Sequence, residues 1–201
     1  MPGARHSSPK TNTPNLAVGF SSAAGWEQWL RAHHKTSPGV WLRIARKESG
    51  VRSVTYAEAL DAALCFGWIG AVKARGDATV WLQRFTPRTS RSAWSRVNTV
   101  HAERLIKAGR MRPAGLAAVE AARRDGRWRR AYASPAAMTV PADFMRALAR
   151  KPKALAFFRT LNRANTYAIG YRLQTAKKPA TRARRLASLL AMMAAGKKIH
   201  P

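Results

Sequence analysis

From residue 22 the chain reads SAAGWEQWLRAHH. Trp26, Trp29 and Leu30 recur there at i, i+3 and i+4, which predicts a helix with one apolar face, stopped by SPG at 37–39. The next stretch, GVWLRIARK, changes period. Val40, Leu42 and Ile44 alternate with Trp41, Arg43 and Arg46, which predicts a half-buried strand over 39–46. KESG at 47–50 turns the chain, and VTYAEAL then places Thr55 and Glu58 at capping-box spacing, so that hydroxyl and carboxylate each satisfy an orphan amide at a helix start. Tyr56, Leu60, Ala63 and Leu64 share one face of that helix. It runs into LCFGWIGAVKA at 64–74, where Gly67 suits a left-handed exit and residues 69–74 read as extended. Arg75, Gly76 and Asp77 form a turn rather than an adhesion motif. ATVWLQRFT then returns with Val80 and Leu82 facing one way and Trp81, Gln83 and Phe85 the other, so residues 69–86 are a predicted β-hairpin.

Beyond Pro87 the periodicity is helical. SRSAWSRVNTVHAERLIKAG predicts a helix capped by a serine near 90–92 and stopped at Gly109, and Pro113 opens PAGLAAVEAARR, ended by Asp125 and Gly126. WRRAYASPAAMTVP, with two prolines and no clean period, reads as an ordered linker. Helices are expected over 141–150, 152–161, 166–175 and 179–195, with a turn at NRAN, 162–165, and a stop at Gly196. The expected fold class is α+β and helix-rich: a small antiparallel sheet from 39–46 and 69–86 covered by helices, then an all-helical C-terminal region. The expected organisation is a disordered tail over 1–21, an α+β region over 22–127, a linker over 128–140 and a helical region over 141–201.

Charge adds a function class. With 37 Lys+Arg against 9 Asp+Glu the net charge is +28, and +24 of it lies beyond residue 70. A field of that sign attracts polyanions; a GC-rich coding bias that enriches Arg and Ala gives the same composition without selection for binding. The single Cys65 excludes an intrachain disulfide and a CxxC pattern. No run of about 18 apolar residues is present, and the first twenty residues lack the apolar core of a secretory signal, so the expectation is a cytoplasmic protein with no integral membrane association. His33 and His34, being adjacent, diverge on a helix, His200 lies near the end of the sequence, and no HExxH or carboxylate cluster occurs; no metal and no cofactor is expected.

Several strings recur in the order of a known family: CFGWI at 65–69, RFTPRTSRSAW at 84–94 with Ser95 and Asn98 after it, ERLIKAGRM and PAGL over 103–116, AFFRTLNRANTYAI at 156–169, K-P-x-T-R-x-R-R at 178–185 and GKKIHP at 196–201. Over most of 25–201 the chain resembles the YdeI/OmpD-associated, bacteriocin-protection family. The resemblance implies a link to tolerance of bacteriocins or antimicrobial peptides, and brings no catalytic residue or cofactor with it. Relatives usually carry an acidic residue after GWI, where this chain has Gly70; if that carboxylate serves chemistry in the family, this chain is expected to lack it.

The residues that bear chemistry have bland readings beside the functional ones. Cys65 is a candidate nucleophile if Arg84 or Arg88 stabilises a thiolate, and otherwise core. Trp68, Trp81 and Trp94, with Cys65 and Asn98, are candidates to line a pocket or stack on bases, and otherwise fill a helix–sheet junction. Arg84, Arg88, Ser90, Arg91 and Ser92 surround the expected helix N-terminus at 90–92, an arrangement suited to an anion. Asn162 and Asn165, followed by Tyr167 and Tyr171, either contact a partner or satisfy a turn. Arg182, Arg184 and Arg185 precede Leu186, Leu189, Leu190 and Met193 and are the nucleic-acid candidates; the apolar stripe behind them is core, a membrane-surface face or a partner helix.

The reading that follows is a non-enzymatic binding protein linked to bacteriocin, antimicrobial-peptide or stress tolerance, acting on an acidic protein partner or a small anion. The alternative is nonspecific nucleic-acid binding; a second alternative is an enzyme holding a small anionic substrate with Arg84, Arg88 and Ser90.

Overall fold

The computed structural model describes residues 17–134 and 136–200. Most of the expected tail, residues 1–16, lies outside the described residues; its last part does not, because Ala17–Gly19 form a strand. Two compact units divide the described chain. The first holds the residues up to Ser92 together with His101–Asp125, and the second holds Ala93–Val100 together with Gly126 onward.

The first unit contains β1 (Ala17–Gly19), α1 (Ala23–His33), β2 (Val40–Ala45), α2 (Tyr56–Cys65), β3 (Trp68–Arg75), β4 (Val80–Pro87) and α4 (Pro113–Arg124). Its sheet has the order β1-β2-β4-β3. The fold class is α+β, but the sheet is mixed rather than purely antiparallel: β1 runs parallel to β2, with Val18 opposite Leu42. Three residues are too few for alternation to declare a strand.

Trp26 and Leu30 of α1 are fully buried, each apolar side chain of Leu size contributing about 1.5–3 kcal/mol on burial. The Trp26 ring lies 5.6 Å from Phe85 of β4, and its indole N–H donates to the Ala59 carbonyl at 3.0 Å, so the polar edge of this buried ring is satisfied. Thr55 and Glu58 close the capping box on α2. The helix then exits through Gly67 at φ +73°, and Trp68 turns inward, donating to the His34 carbonyl at 3.1 Å.

β4 departs from the simple alternation: Val80, Leu82, Gln83 and Phe85 are all buried, so both faces are covered. The cause lies in its partner. The β3–β4 register shifts between Gly70 and Lys73, an irregularity at which neither Ala71 nor Val72 has a register partner. Gln83 Nε2 fills the gap, donating to the Val72 carbonyl at 3.2 Å and the Arg84 carbonyl at 3.0 Å.

The helix expected to start near 90–92 starts later. α3 spans Arg96–Lys107, and Ser95 caps it, its Oγ accepting from the Asn98 amide at 3.1 Å. Thr89 and Ser92 instead close a turn on themselves: the Thr89 amide donates to Ser92 Oγ at 3.0 Å and the Ser92 amide to the Thr89 carbonyl at 3.0 Å. Their hydroxyls resemble caps in sequence because they serve the same need of local amides.

In the second unit α5 (Ala142–Ala149), α6 (Pro152–Arg159), α7 (Arg163–Gln174) and α8 (Pro179–Ala194) pack around Phe144, Leu148, Ala154, Ile169, Leu173, Leu189 and Met193. Leu186 and Leu190 pack against the same cluster, so the stripe on α8 is core. α7 begins three residues earlier than the pattern predicts, because Asn162 acts as its N-cap and accepts from the Asn165 amide at 3.0 Å. The segment read as a linker docks on this unit through Gln174 Nε2 to the Thr139 carbonyl, 3.0 Å, and Arg163 to the Ala136 carbonyl, 2.6 Å.

Candidate functional site

Among the described residues, concave basic surface occurs on each unit. On the second unit α8 presents three arginines with different fates. Arg182 forms a bidentate pair with Asp143 of α5 at 2.6 and 3.0 Å, which holds the Asp143 carboxyl down at about 2 and commits that guanidinium to the fold. Arg184 and Arg185 instead line a cleft of about 240 Å³ with Arg172, Ser188 and Leu189. Arg185 donates to the Arg172 carbonyl at 2.7 Å, which fixes one wall. Three guanidinium groups and a hydroxyl line this cleft, and no carboxylate is among its lining residues, a donor set whose chemistry suits an oxyanion. Arg172 and Ser188 escape a reading by local clusters, yet Ser188 stands at i+4 from Arg184 and i+3 from Arg185, a spacing that puts all three on one helical face.

On the first unit a depression of about 510 Å³ lies over the hairpin, lined by Arg46, Lys73, Ala74, Arg75 and Trp81. Lys73 Nζ sits 4.4 Å from the Trp81 ring centre, and the Tyr56 ring lies 5.9 Å from Trp81. The sequence pattern singled out Trp81 but not its cationic neighbours; pairing Arg75 with Trp81 across the hairpin is the signal that brings them together. A second cleft of about 220 Å³ is bounded by Arg31, His34, Lys35, Phe66, Arg112, Pro113 and Ala114. Its basic edge is partly spent internally, because Glu27 accepts from Arg31 at 3.4 Å and from Arg112 at 3.1 Å.

The residues proposed from sequence are dispersed. Arg84, Arg88, Ser90, Arg91 and Ser92 all fall in the first unit, but with α3 beginning at Arg96 they surround a turn and not a helix N-terminus. Arg84 lies over the Trp41 ring at 5.9 Å, the Arg88 amide donates to the Gly67 carbonyl at 2.9 Å, and the Arg91 amide donates to Thr89 Oγ1 at 3.2 Å. Of the suggested pocket-lining set, Cys65 and Trp68 are buried in the first unit, and Trp94, buried, belongs with Asn98 to the second. Trp81 alone of the five lines one of the clefts described above. Asn165 is fully buried, its Oδ1 accepting from the Ile199 and His200 amides at 2.9 Å each. Tyr167 and Tyr171 stack at 5.9 Å, and Tyr132 meets Tyr171 edge-on at 4.9 Å.

Burial pushes the Cys65 thiol up to about 11, and the charges acting on it are Arg110, Glu27, Asp61 and Arg112 rather than Arg84 or Arg88. A thiol that stays protonated and covered is a poor nucleophile. His101 Nδ1 lies 2.7 Å from Asp61; burial tends to raise the Asp61 carboxyl, but hydrogen bonds from His101 and Arg104 outweigh it and hold it low. Among the described residues no three His, Cys, Asp or Glu side chains are grouped to hold a metal ion, and no helix is long and apolar enough to cross a membrane.

Two family models match the chain in succession. Residues 18–118 match a domain of unknown function (DUF8412), and residues 137–196 match the family described as bacteriocin-protection, YdeI or OmpD-associated. The strings that suggested the latter family between 65 and 116 thus fall under the first model, and those from 156 fall under the second. No curated protein and no solved structure matches the chain. The chain belongs to the DUF8412 family through the sheet-bearing half that holds the hairpin depression, and it carries behind that half a bacteriocin-protection, YdeI or OmpD-associated domain that holds the arginine cleft.

Proposed function

We propose that the protein is a non-enzymatic binder of anionic ligands in the cytoplasm, and that its link to bacteriocin, antimicrobial-peptide or stress tolerance runs through such a ligand, a small oxyanion or an acidic protein partner. The observation that carries this reading is the cleft of Arg172, Arg184, Arg185 and Ser188, lined by three arginines and by no carboxylate. Direct capture of cationic peptides is disfavoured by a net charge of +28, because such a surface repels them. Calorimetric titration with inorganic phosphate and with a polyglutamate peptide tests the cleft. Binding that Arg184→Ala with Arg185→Ala removes supports it, and no heat from either ligand sinks it. A deletion strain with unchanged sensitivity to a panel of antimicrobial peptides would sink the tolerance link separately, and cell fractionation checks the location.

A second reading, nucleic-acid binding, is favoured by a different observation. On the hairpin the cations Arg46, Lys73 and Arg75 surround an aromatic ring, Trp81, which adds a base-stacking surface to phosphate-seeking charge. Affinity through phosphates alone falls steeply with salt, so a titration of labelled single and double strands at low and near-physiological salt separates this reading from general surface charge.

A further inference from the structure

We propose that the hairpin depression is a sequence-nonspecific single-strand site in which one nucleobase stacks on Trp81 while Arg46, Lys73 and Arg75 take the flanking phosphates; the inference rests on the nucleic-acid reading above. Trp81 stands between two kinds of neighbour. Tyr56 supports it from the α2 side at 5.9 Å, and Lys73 Nζ lies over it at 4.4 Å. The first contact fixes the indole as a platform. The second is made by a flexible chain whose ammonium trades the ring for a phosphate by rotating its stem, which clears the face for a base.

The bulge between Gly70 and Lys73 re-aims β3 at this point, and buried Gln83 secures it through the Val72 carbonyl. No carboxylate lines the depression. Asp77, on the nearby turn, is already engaged by Arg43 at 3.0 Å and by Thr79 and Val80, so it does not neutralise the three cations. A neighbouring cleft of about 310 Å³ shares Arg46 and adds Lys47 and Ser49, though also Glu48, which extends the surface along a path a strand backbone can follow. A duplex keeps its bases stacked on one another and leaves an indole nothing to receive; the single strand is therefore the ligand committed to here.

Fluorescence anisotropy of labelled oligothymidylate against the wild type, Trp81→Leu, Trp81→Phe and Lys73→Gln tests the site, with inorganic polyphosphate as a competitor that carries charge but no base. Trp81→Leu is expected to weaken oligothymidylate binding about tenfold or more and to leave polyphosphate competition within about twofold, which also shows that the variant is folded. Trp81→Phe is expected to keep most of the affinity, and Lys73→Gln to lower affinity for both ligands and to flatten the salt dependence. Equal oligothymidylate affinity for wild type and Trp81→Leu overturns the stacking site while leaving the nucleic-acid reading standing. Equal loss of oligothymidylate and polyphosphate binding in Trp81→Leu also overturns it, and absence of any oligothymidylate binding by the wild type removes both.

Discussion

Gly67 and Gly115 bring the end of α2 and the first turn of α4 together backbone to backbone. A Cβ on Gly67 would stand 2.8 Å from the Ala114 carbonyl oxygen, and one on Gly115 would overlap the Cys65 carbonyl. The Arg112 amide donates to that same carbonyl at 3.0 Å, so the approach also satisfies a group at the helix end. Gly67 carries a second constraint, φ +73°, which Gly109 shares at φ +65° with nothing within 4 Å of its missing Cβ. Gly109→Ala is therefore expected to cost only the left-handed penalty, about 1–2 kcal/mol. Gly67→Ala adds a backbone overlap and is expected to cost about 3 kcal/mol or more. Denaturant midpoints of the two variants check the difference, and equal losses would remove the close approach from the explanation.

Local chemistry made much of this legible in the sequence. The capping box of Thr55 and Glu58, the exit at Gly67 and the two strands of the hairpin depend on residues near one another in the chain. What stayed hidden depends on distant partners. Ser90 and Ser92 look as good a cap as Ser95, and only the placement of α3 separates them. Arg182 reads as one of a basic cluster, although Asp143, 39 residues away, has already taken it. The arginine cleft needed Arg172 from a different helix, and the hairpin depression needed Arg46 from the segment just after β2. A net charge of +28 does not say which arginines are engaged within the fold and which line a cleft.

Asn165 holds Ile199 and His200 against α7. Its Oδ1 accepts from two amides, and its Nδ2 donates to the His200 carbonyl at 3.2 Å and to Asn162 Oδ1 at 3.0 Å. Asn165→Ala strips partners from buried groups and is expected to cost about 2–3 kcal/mol. Hydrogen exchange gives the specific signature: the Ile199 and His200 amides lose protection before the core of α7 does. Unchanged protection at those two amides counts against the clamp.

The Asp143–Arg182 pair predicts an acid limb in the stability of the second unit. The folded carboxyl titrates at about 2 against an ordinary 3.8, so the pair stabilises fully above 3.8 and is lost as the pH falls toward 2. With side chains 37% and 35% exposed, solvent screening keeps the effect small, about 0.5–1 kcal/mol. Asp143→Asn is expected to lower stability at neutral pH by that amount and to flatten the decline between pH 4 and 2. Other lowered carboxyls, including Asp61, keep part of the slope. An identical acid profile for wild type and variant would show that the pair makes no net contribution.

Cys65 predicts the opposite limb. Its thiol is pushed up by burial to about 11 from an ordinary 9.0, so the folded state holds its proton more tightly and loses stability as the pH rises from 9 through 11. Tyr56 and Tyr167 are also raised by burial and steepen the same window. Cys65→Ala is expected to reduce the alkaline slope without abolishing it, at a cost near neutrality of about 1 kcal/mol for the lost sulfur contacts. Reactivity gives an independent check, because alkylation at pH 8 requires both the thiolate and access. A thiol at about 11 offers roughly a hundredth of the thiolate of one at 9.0, and burial removes most of the remaining rate. Iodoacetamide labelling is therefore expected to be slow in buffer and to recover the rate of a free thiol in denaturant. Rapid labelling of the folded protein would return Cys65 to the list of candidate nucleophiles and reopen the enzymatic alternative.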